Sequence, residues 1–200
     1  MLSSVDFKPV QLEDRDFFIQ HYRRFPQMHS DNTFTNMVCW NYYANYRYAY
    51  VQDCVLLSST IGGKTRYRPP IGPHNPDLLH EVMSLALRSD EERPFVVLDQ
   101  GTLDWIKSLY PELKLDPERM YFEYVYLASD LALLPGKGYS TIRRQLNQFM
   151  KNCSPKVEDL GADNIAEIND FVEQWCEWKD CDSNPDLESE KEALCFALAH

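Results

Sequence analysis

Between Tyr48 and Arg68 the chain alternates strand-forming segments with two-residue turns, and this stretch constrains the fold more than any other. Tyr48 to Val51 and Cys54 to Ser59 flank the turn-like Gln52-Asp53, and Gly62-Gly63 precedes a returning segment, Thr65 to Arg68. A Gly-Gly pair supplies the positive φ angles of a two-residue hairpin, whose twist matches that of paired strands. Pro69-Pro70 ends the pairing, because proline donates no hydrogen bond to a ladder.

The segments on either side read largely as helices. Phe18, Tyr22 and Phe25 recur at helical spacing and predict a helix from Glu13 to Arg24, closed by Pro26. The polar cluster Ser30 to Thr33 caps a second, Phe34 to Ala44. Asn75-Pro76-Asp77 opens a third, carrying Leu78, Leu79, Val82 and Leu85 to about Arg88. Phe95 to Leu98 is a short unbroken apolar run, as in a buried central strand, and a helix follows from Leu103 to Tyr110. Tyr121 to Leu127 alternates and is aromatic-rich, which predicts another strand, with Val157 to Leu160 as a short candidate. Helices are predicted from Ser140 to Lys151, with Ile142, Leu146 and Phe149 inward, and from Asn164 to Lys179. Asn164 and Glu167 have capping-box spacing, and a last helix turns Leu187, Leu194 and Leu198 inward. The order predicts an α/β or α+β protein with a mixed sheet and helices packed on it.

The 200 residues suffice for one ordinary domain, and an apolar share of 44% excludes a disordered chain. The net charge of −11 opposes DNA and anionic lipid in bulk, so any nucleic-acid or anion binding requires a local basic patch. No apolar run approaches the roughly 20 residues of a membrane span. The opening Met1-Leu2-Ser3-Ser4-Val5-Asp6 lacks the basic start and apolar core of a signal peptide, so a cytoplasmic protein is expected. Cys39, Cys54, Cys153, Cys176, Cys181 and Cys195 form no Cys-x-x-Cys pair and have no histidines at ligand spacing. The expectation is free thiols, no disulfide and no metal.

One basic patch stands out. Lys137 lies between Gly136 and Gly138, just before a helix that carries Arg143, Arg144 and Asn147. A glycine-flanked backbone at a helix N-terminus can cradle an anion, and arginine adds bidentate phosphate recognition. A solvated basic helix face is the plainer reading. A second candidate is the turn Arg66-Tyr67-Arg68-Pro69-Pro70-Ile71-Gly72-Pro73-His74, where Arg66 and Arg68 could line a cleft. Its plainer reading is a strand-ending loop. Trp40, with the tyrosines that follow it, could stack on a base, although a core with wet edges explains it as well. There is no Gly-x-Ser-x-Gly, no Walker loop, no Gly-x-Gly-x-x-Gly and no His-x-x-x-His, so no nucleophile or general base is identified.

Several features occur together in order: Ser30 to Trp40; Arg68-Pro69-Pro70-Ile71-Gly72; Tyr124 to Leu127 leading to Leu134-Pro135-Gly136-Lys137; and Tyr139 to Phe149 with its Arg-Arg and Asn. The spacing of Trp175 and Trp178 to Glu188-Ser189-Glu190 accompanies them. In this order, from about Phe7 onward, the chain resembles the phosphatidylglycerol lysyltransferase C-terminal domain family. The resemblance implies a GNAT-like acyl-CoA N-acyltransferase fold in tandem copies, similar to the Fem-type aminoacyltransferases. Residues 1–160 would form the N-terminal copy, and 161–200 a helical segment leading into a second copy beyond it. The implied reaction moves an aminoacyl or acyl group from aminoacyl-tRNA or acyl-CoA, bound as substrate and not as cofactor, to an amine or hydroxyl. Lys137, Arg143 and Arg144 would hold donor phosphates, Asn147 would orient polar groups, and Arg66, Arg68 and Trp40 would line a cleft. With part of the active site expected in the second copy, these 200 residues alone are expected to show no turnover. A non-catalytic binding module that keeps the fold is the alternative.

Overall fold

The computed structural model describes residues 2–89, 95–96 and 99–200. The chain divides into two compact units, one formed by Met1–Lys114 with Glu167–His200 and the other by Leu115–Ala166. The strands are β1 (Lys8–Pro9), β2 (Arg47–Val51), β3 (Cys54–Ile61) and β4 (Lys64–Tyr67). The helices are α1 (Arg15–Arg24), α2 (Phe34–Cys39), α3 (Asn41–Ala44), α4 (Pro76–Leu87) and α5 (Gln100–Leu109). They continue with α6 (Ala128–Leu133), α7 (Ser140–Cys153), α8 (Ile165–Lys179) and α9 (Pro185–Ala199).

The first unit is built on an antiparallel sheet in the order β1-β2-β3-β4. Val51 pairs with Cys54 and Ile61 with Lys64, so both hairpins close through two residues. Those four turn residues, Gln52, Asp53, Gly62 and Gly63, all have positive φ, as such turns require. The sheet's strand pairs are all antiparallel, so it is not the mixed sheet expected, although helices pack on it and its hairpin strands match the predicted ones. The two-residue β1, half of it proline, carries too little signal to be seen in sequence.

β3 is the central buried strand. Side chains alternate across a pleat, and here both faces are covered. Cys54 and Leu56 join Phe7, Ala49, Tyr67, Leu78, Val82 and Leu85 on one face, under α4. Val55 and Leu57 join Val10, Phe18, Met37, Tyr46, Tyr48 and Ile71 on the other, under α1 and α2. Val55, Leu56 and Leu57 are fully buried, each worth about 1.5–3 kcal/mol of apolar transfer. α9 packs against α2 and α3.

Several predicted features differ. Phe95 forms only an isolated bridge to Tyr67, while Val96 N–H donates to the Tyr67 carbonyl at 2.8 Å. Val97 and Leu98 of the same predicted strand lie outside the described residues. Tyr121 to Leu127 is not a strand: after a single 3-10 turn at Arg119–Tyr121 it is irregular, its side chains exposed. Aromatic alternation produces a strand only where a neighbouring edge accepts its hydrogen bonds. Val157 to Leu160 is likewise irregular. The predicted helix over Phe34 to Ala44 breaks at Trp40 into α2 and α3. Asn164 does not form the expected capping box. Its Oδ1 accepts from Gly161 N–H at 3.0 Å and its Nδ2 donates to the Asp159 carbonyl at 2.9 Å. On α9 Ala193 is buried and Leu187, Phe196 and Leu198 are half-buried, but Leu194, expected inward, is exposed.

The thiols require a further correction. Cys176 and Cys181 form a disulfide, against the expectation of free thiols. α8 ends at Lys179, and Asp180 adopts a left-handed φ of 56° that folds the next turn back on the helix. That reversal brings the two Cα atoms to 5.1 Å, inside bridging range, although the five-residue spacing fits no redox or zinc motif. Cys39, Cys54, Cys153 and Cys195 are free.

In the second unit neither α6 nor α7 buries a residue. Ile142, Leu146 and Phe149, expected inward, are 46%, 48% and 49% exposed, so α7 is an amphipathic helix whose stripe is only half covered.

Candidate functional site

The first unit contains a cleft of about 250 Å³ between the end of α1, the segment after β4 and the start of α5. Its floor follows from the way β4 ends. Arg68 N–H donates to the Leu57 carbonyl at 3.0 Å, the last ladder bond before Pro69 and Pro70. Ile71 then returns to the sheet, exchanging two 2.9 Å bonds with Val55. Its carbonyl also accepts from the buried His21 Nε2–H at 2.7 Å. Gly72 follows in close contact. A Cβ there would lie 2.7 Å from the Asp53 carbonyl oxygen and from Cys54 Sγ. Two prolines, three backbone bonds and a backbone contact thus fix this wall before any ligand arrives.

Arg68 is 5% exposed, yet it makes no ion pair among the described residues. Its Nη1 donates to Ser59 Oγ at 3.5 Å, its guanidinium lies 5.3 Å from the centre of the Tyr46 ring, and its Nε has no partner. Burial pushes the Tyr22 and Tyr46 phenols up, and the Arg68 charge opposes that rise in both. Asp31 adds to the rise at Tyr46. Asn32, 5% exposed, donates through Nδ2 to Gln27 Oε1 at 2.8 Å, while its Oδ1 has no partner. The exposed Arg24 sits at the rim. Across the cleft, Asp99 caps α5 by accepting from Thr102 N–H at 2.8 Å, which sets Trp105 against the cleft. Trp105 stacks on His74, with ring centres 4.2 Å apart and planes 6° from parallel. A second depression, near Leu2 and Tyr50, is lined by Asp6 and Glu81, and Glu81 already accepts the Leu2 N–H at 3.0 Å.

Of the sequence candidates in this unit, Arg68 lines the cleft. Arg66 pairs with Ser59 on β4, and Trp40 packs with the core beside Tyr43; neither lines the cleft. The sequence marks none of Arg24, Asn32 and Trp105 as cleft residues, and His74 only as the last residue of the candidate turn. They converge from four distant segments, and no local spacing marks such a set.

The second unit holds the basic helix. Gly136 has a φ of 70° in the turn before α7, and Lys137 and Arg144 are exposed, as is Asn147. Arg143 folds back, its Nη1 donating to the carbonyls of Leu134 and Gly136. It therefore braces the turn that carries Lys137. Among the described residues, no hydrogen bond or ion pair occupies the side chains of Lys137, Arg144 or Asn147. Among the described residues, no group of His, Cys, Asp and Glu could hold a metal ion, and no helix is long and apolar enough to cross a membrane.

Comparisons with known proteins fit these observations. None of the curated proteins matches the chain. A crystal structure of a conserved protein of unknown function from Bacteroides thetaiotaomicron is similar, with 25% identity and a TM-score of 0.84. The similarity covers 96% of this chain and 66% of that one, so the chain spans about two thirds of its solved relative. Residues 22–200 match the family described as phosphatidylglycerol lysyltransferase, C-terminal, and the chain belongs to that family.

Proposed function

We propose that the chain is the N-terminal, GNAT-like part of a cytoplasmic transferase, one of two such copies in tandem. The transferase moves an activated aminoacyl or acyl group from aminoacyl-tRNA or acyl-CoA to an amine or hydroxyl acceptor. Family membership over residues 22–200 carries this reading. In this reading residues 1–160 form the first copy, and the segment from 161 leads toward the second.

The braced turn before α7 supports the donor side. Arg143 holds the Leu134 and Gly136 carbonyls, which keeps Lys137 at the helix N-terminus. Arg144 and Asn147 are three apart on α7, so they share a face. On a protein of net charge −11, a local cationic cluster is what would draw an anionic donor. Lys137 and Arg144 contact donor phosphates, and Asn147 orients the group beside them.

Replacing Lys137 and Arg144 together with alanine tests this. Both side chains are exposed, so the unfolding free energy should stay within about 0.5 kcal/mol of the parent. Affinity for aminoacyl-tRNA or acyl-CoA should fall about tenfold or more, as expected for two lost phosphate contacts. Unchanged donor affinity would remove the helix from the site. Donor binding without group transfer would favour the binding-module alternative.

A further inference from the structure

We propose that the cleft floored by Arg68 is a binding site for a small organic oxyanion, a carboxylate or a phosphate carried on a compact planar body. This goes beyond the transfer reaction and involves none of the α7 residues.

The first argument is the cation. Arg68 is buried at 5% exposure and lines the cleft, but among the described residues its charge meets no carboxylate, only the neutral Ser59 hydroxyl at 3.5 Å and the ring and hydroxyl of Tyr46. A buried guanidinium without a carboxylate is unfavourable unless something else neutralises it. The carboxylates nearby do not. Asp99 is engaged at the N-terminus of α5, and Asp31 accepts from Asn36 Nδ2 while acting on the Tyr46 phenol through space. A ligand oxyanion would supply the missing countercharge and accept from the guanidinium fork.

The second argument is the unmet polar set beside it. Two cleft-lining side chains carry buried atoms without partners, Arg68 Nε and Asn32 Oδ1. Buried polar atoms are nearly always paired, so the Arg68 N–H calls for an acceptor on a ligand and the Asn32 oxygen for a donor on the same body.

The third argument is preorganisation and size. Pro69, Pro70, the Ile71–Val55 bridge and the tight Gly72 fix the wall, so little ordering remains to be done on binding. The volume of about 250 Å³ lies below the roughly 300–1,000 Å³ of drug-sized pockets, which selects a compact ligand. The stacked His74–Trp105 pair gives the ligand body an aromatic wall. Arg24 at the rim adds a second, exposed cation.

The test is a titration of the whole chain with benzoate and with phenyl phosphate, followed by calorimetry and tryptophan fluorescence. Inorganic phosphate and neutral benzamide serve as controls. Saturable binding of one aromatic anion at least about tenfold tighter than benzamide is expected, from the charge-assisted contact to Arg68. Whichever of the two binds tighter identifies the source as carboxylate or phosphate. Trp105→Phe should remove most of the fluorescence change and keep the calorimetric binding. Arg24→Gln, at an exposed position, should weaken binding about threefold without shifting the unfolding midpoint. Arg68→Gln should abolish binding; if it does not fold, the wild-type titration and Arg24→Gln carry the test. Benzamide binding as tightly as benzoate, inorganic phosphate binding as tightly as phenyl phosphate, or no saturable binding of either aromatic anion would overturn the proposal.

Discussion

Gly72→Ala should destabilise the first unit strongly, because Gly72 faces backbone as well as side chain. A Cβ at this position would lie 2.7 Å from the Asp53 carbonyl oxygen, 2.7 Å from Cys54 Sγ and 2.9 Å from Cys54 Cα. Two of those three atoms are backbone within the β2–β3 hairpin, so the strain cannot be relieved by a rotamer change. Overpacking of this kind costs about 1–3 kcal/mol. Pushing residue 72 away also strains the Ile71–Val55 bridge, whose two hydrogen bonds are each 2.9 Å. Losing one such bond adds about 1 kcal/mol, giving a loss of about 2–4 kcal/mol in all. Urea unfolding followed by far-ultraviolet circular dichroism measures it. Gly62→Ala is the control. Nothing lies within 4 Å of a Cβ there, so only the φ of 57° opposes the substitution, at about 1 kcal/mol. If Gly72→Ala cost no more than Gly62→Ala, the close packing of the cleft wall on Cys54 would be refuted.

Three shorter predictions follow. Removing the bridge with Cys176→Ser and Cys181→Ser should lower stability by about 2 kcal/mol from loop-closure entropy alone, read as a shift in the urea midpoint; an unchanged midpoint contradicts a bridge between residues five apart. Asn75→Ala should cost about 1 kcal/mol, since Asn75 Oδ1 accepts from Leu78 N–H at 3.0 Å at the start of α4, and an equal loss on Asn75→Asp would argue against capping as the cause. Tyr22 loses its proton near pH 10.0 when unfolded and well above that when folded, because burial raises it against the opposing Arg68 charge. The folded state therefore holds the extra proton, and stability should fall with rising pH above 10 by up to about 1.4 kcal/mol per unit from this group. Tyr22→Phe should flatten that fall.

The sequence exposed the sheet because its turns are local. Gly62-Gly63 and the alternation on either side specify a hairpin without reference to the rest of the chain. The same local reasoning failed at Tyr121 to Leu127, where the alternation is present but the backbone is irregular. It failed again at Cys181, where the left-handed Asp180 decides the contact and not the cysteine spacing. The turn from Arg68 to Gly72 was legible as a rigid, cationic corner. That its arginine is buried was not, because burial depends on α1, Asn32 and α5 closing around it. On α7, Arg143 looked equivalent to Arg144, and only the backward reach to Leu134 and Gly136 separates a bracing residue from an exposed one.

Incubating the intact gene product with lysyl-tRNA carrying labelled lysine, and in parallel with labelled acetyl-CoA, tests the transferase reading most directly. Amine and hydroxyl acceptors, including phosphatidylglycerol, are supplied in each reaction. The expected result is label appearing in an acceptor, at a rate that falls about tenfold or more when Lys137 and Arg144 are both alanine. Label that stays on the donor, under conditions where the protein binds that donor, would contradict group transfer and leave a binding module.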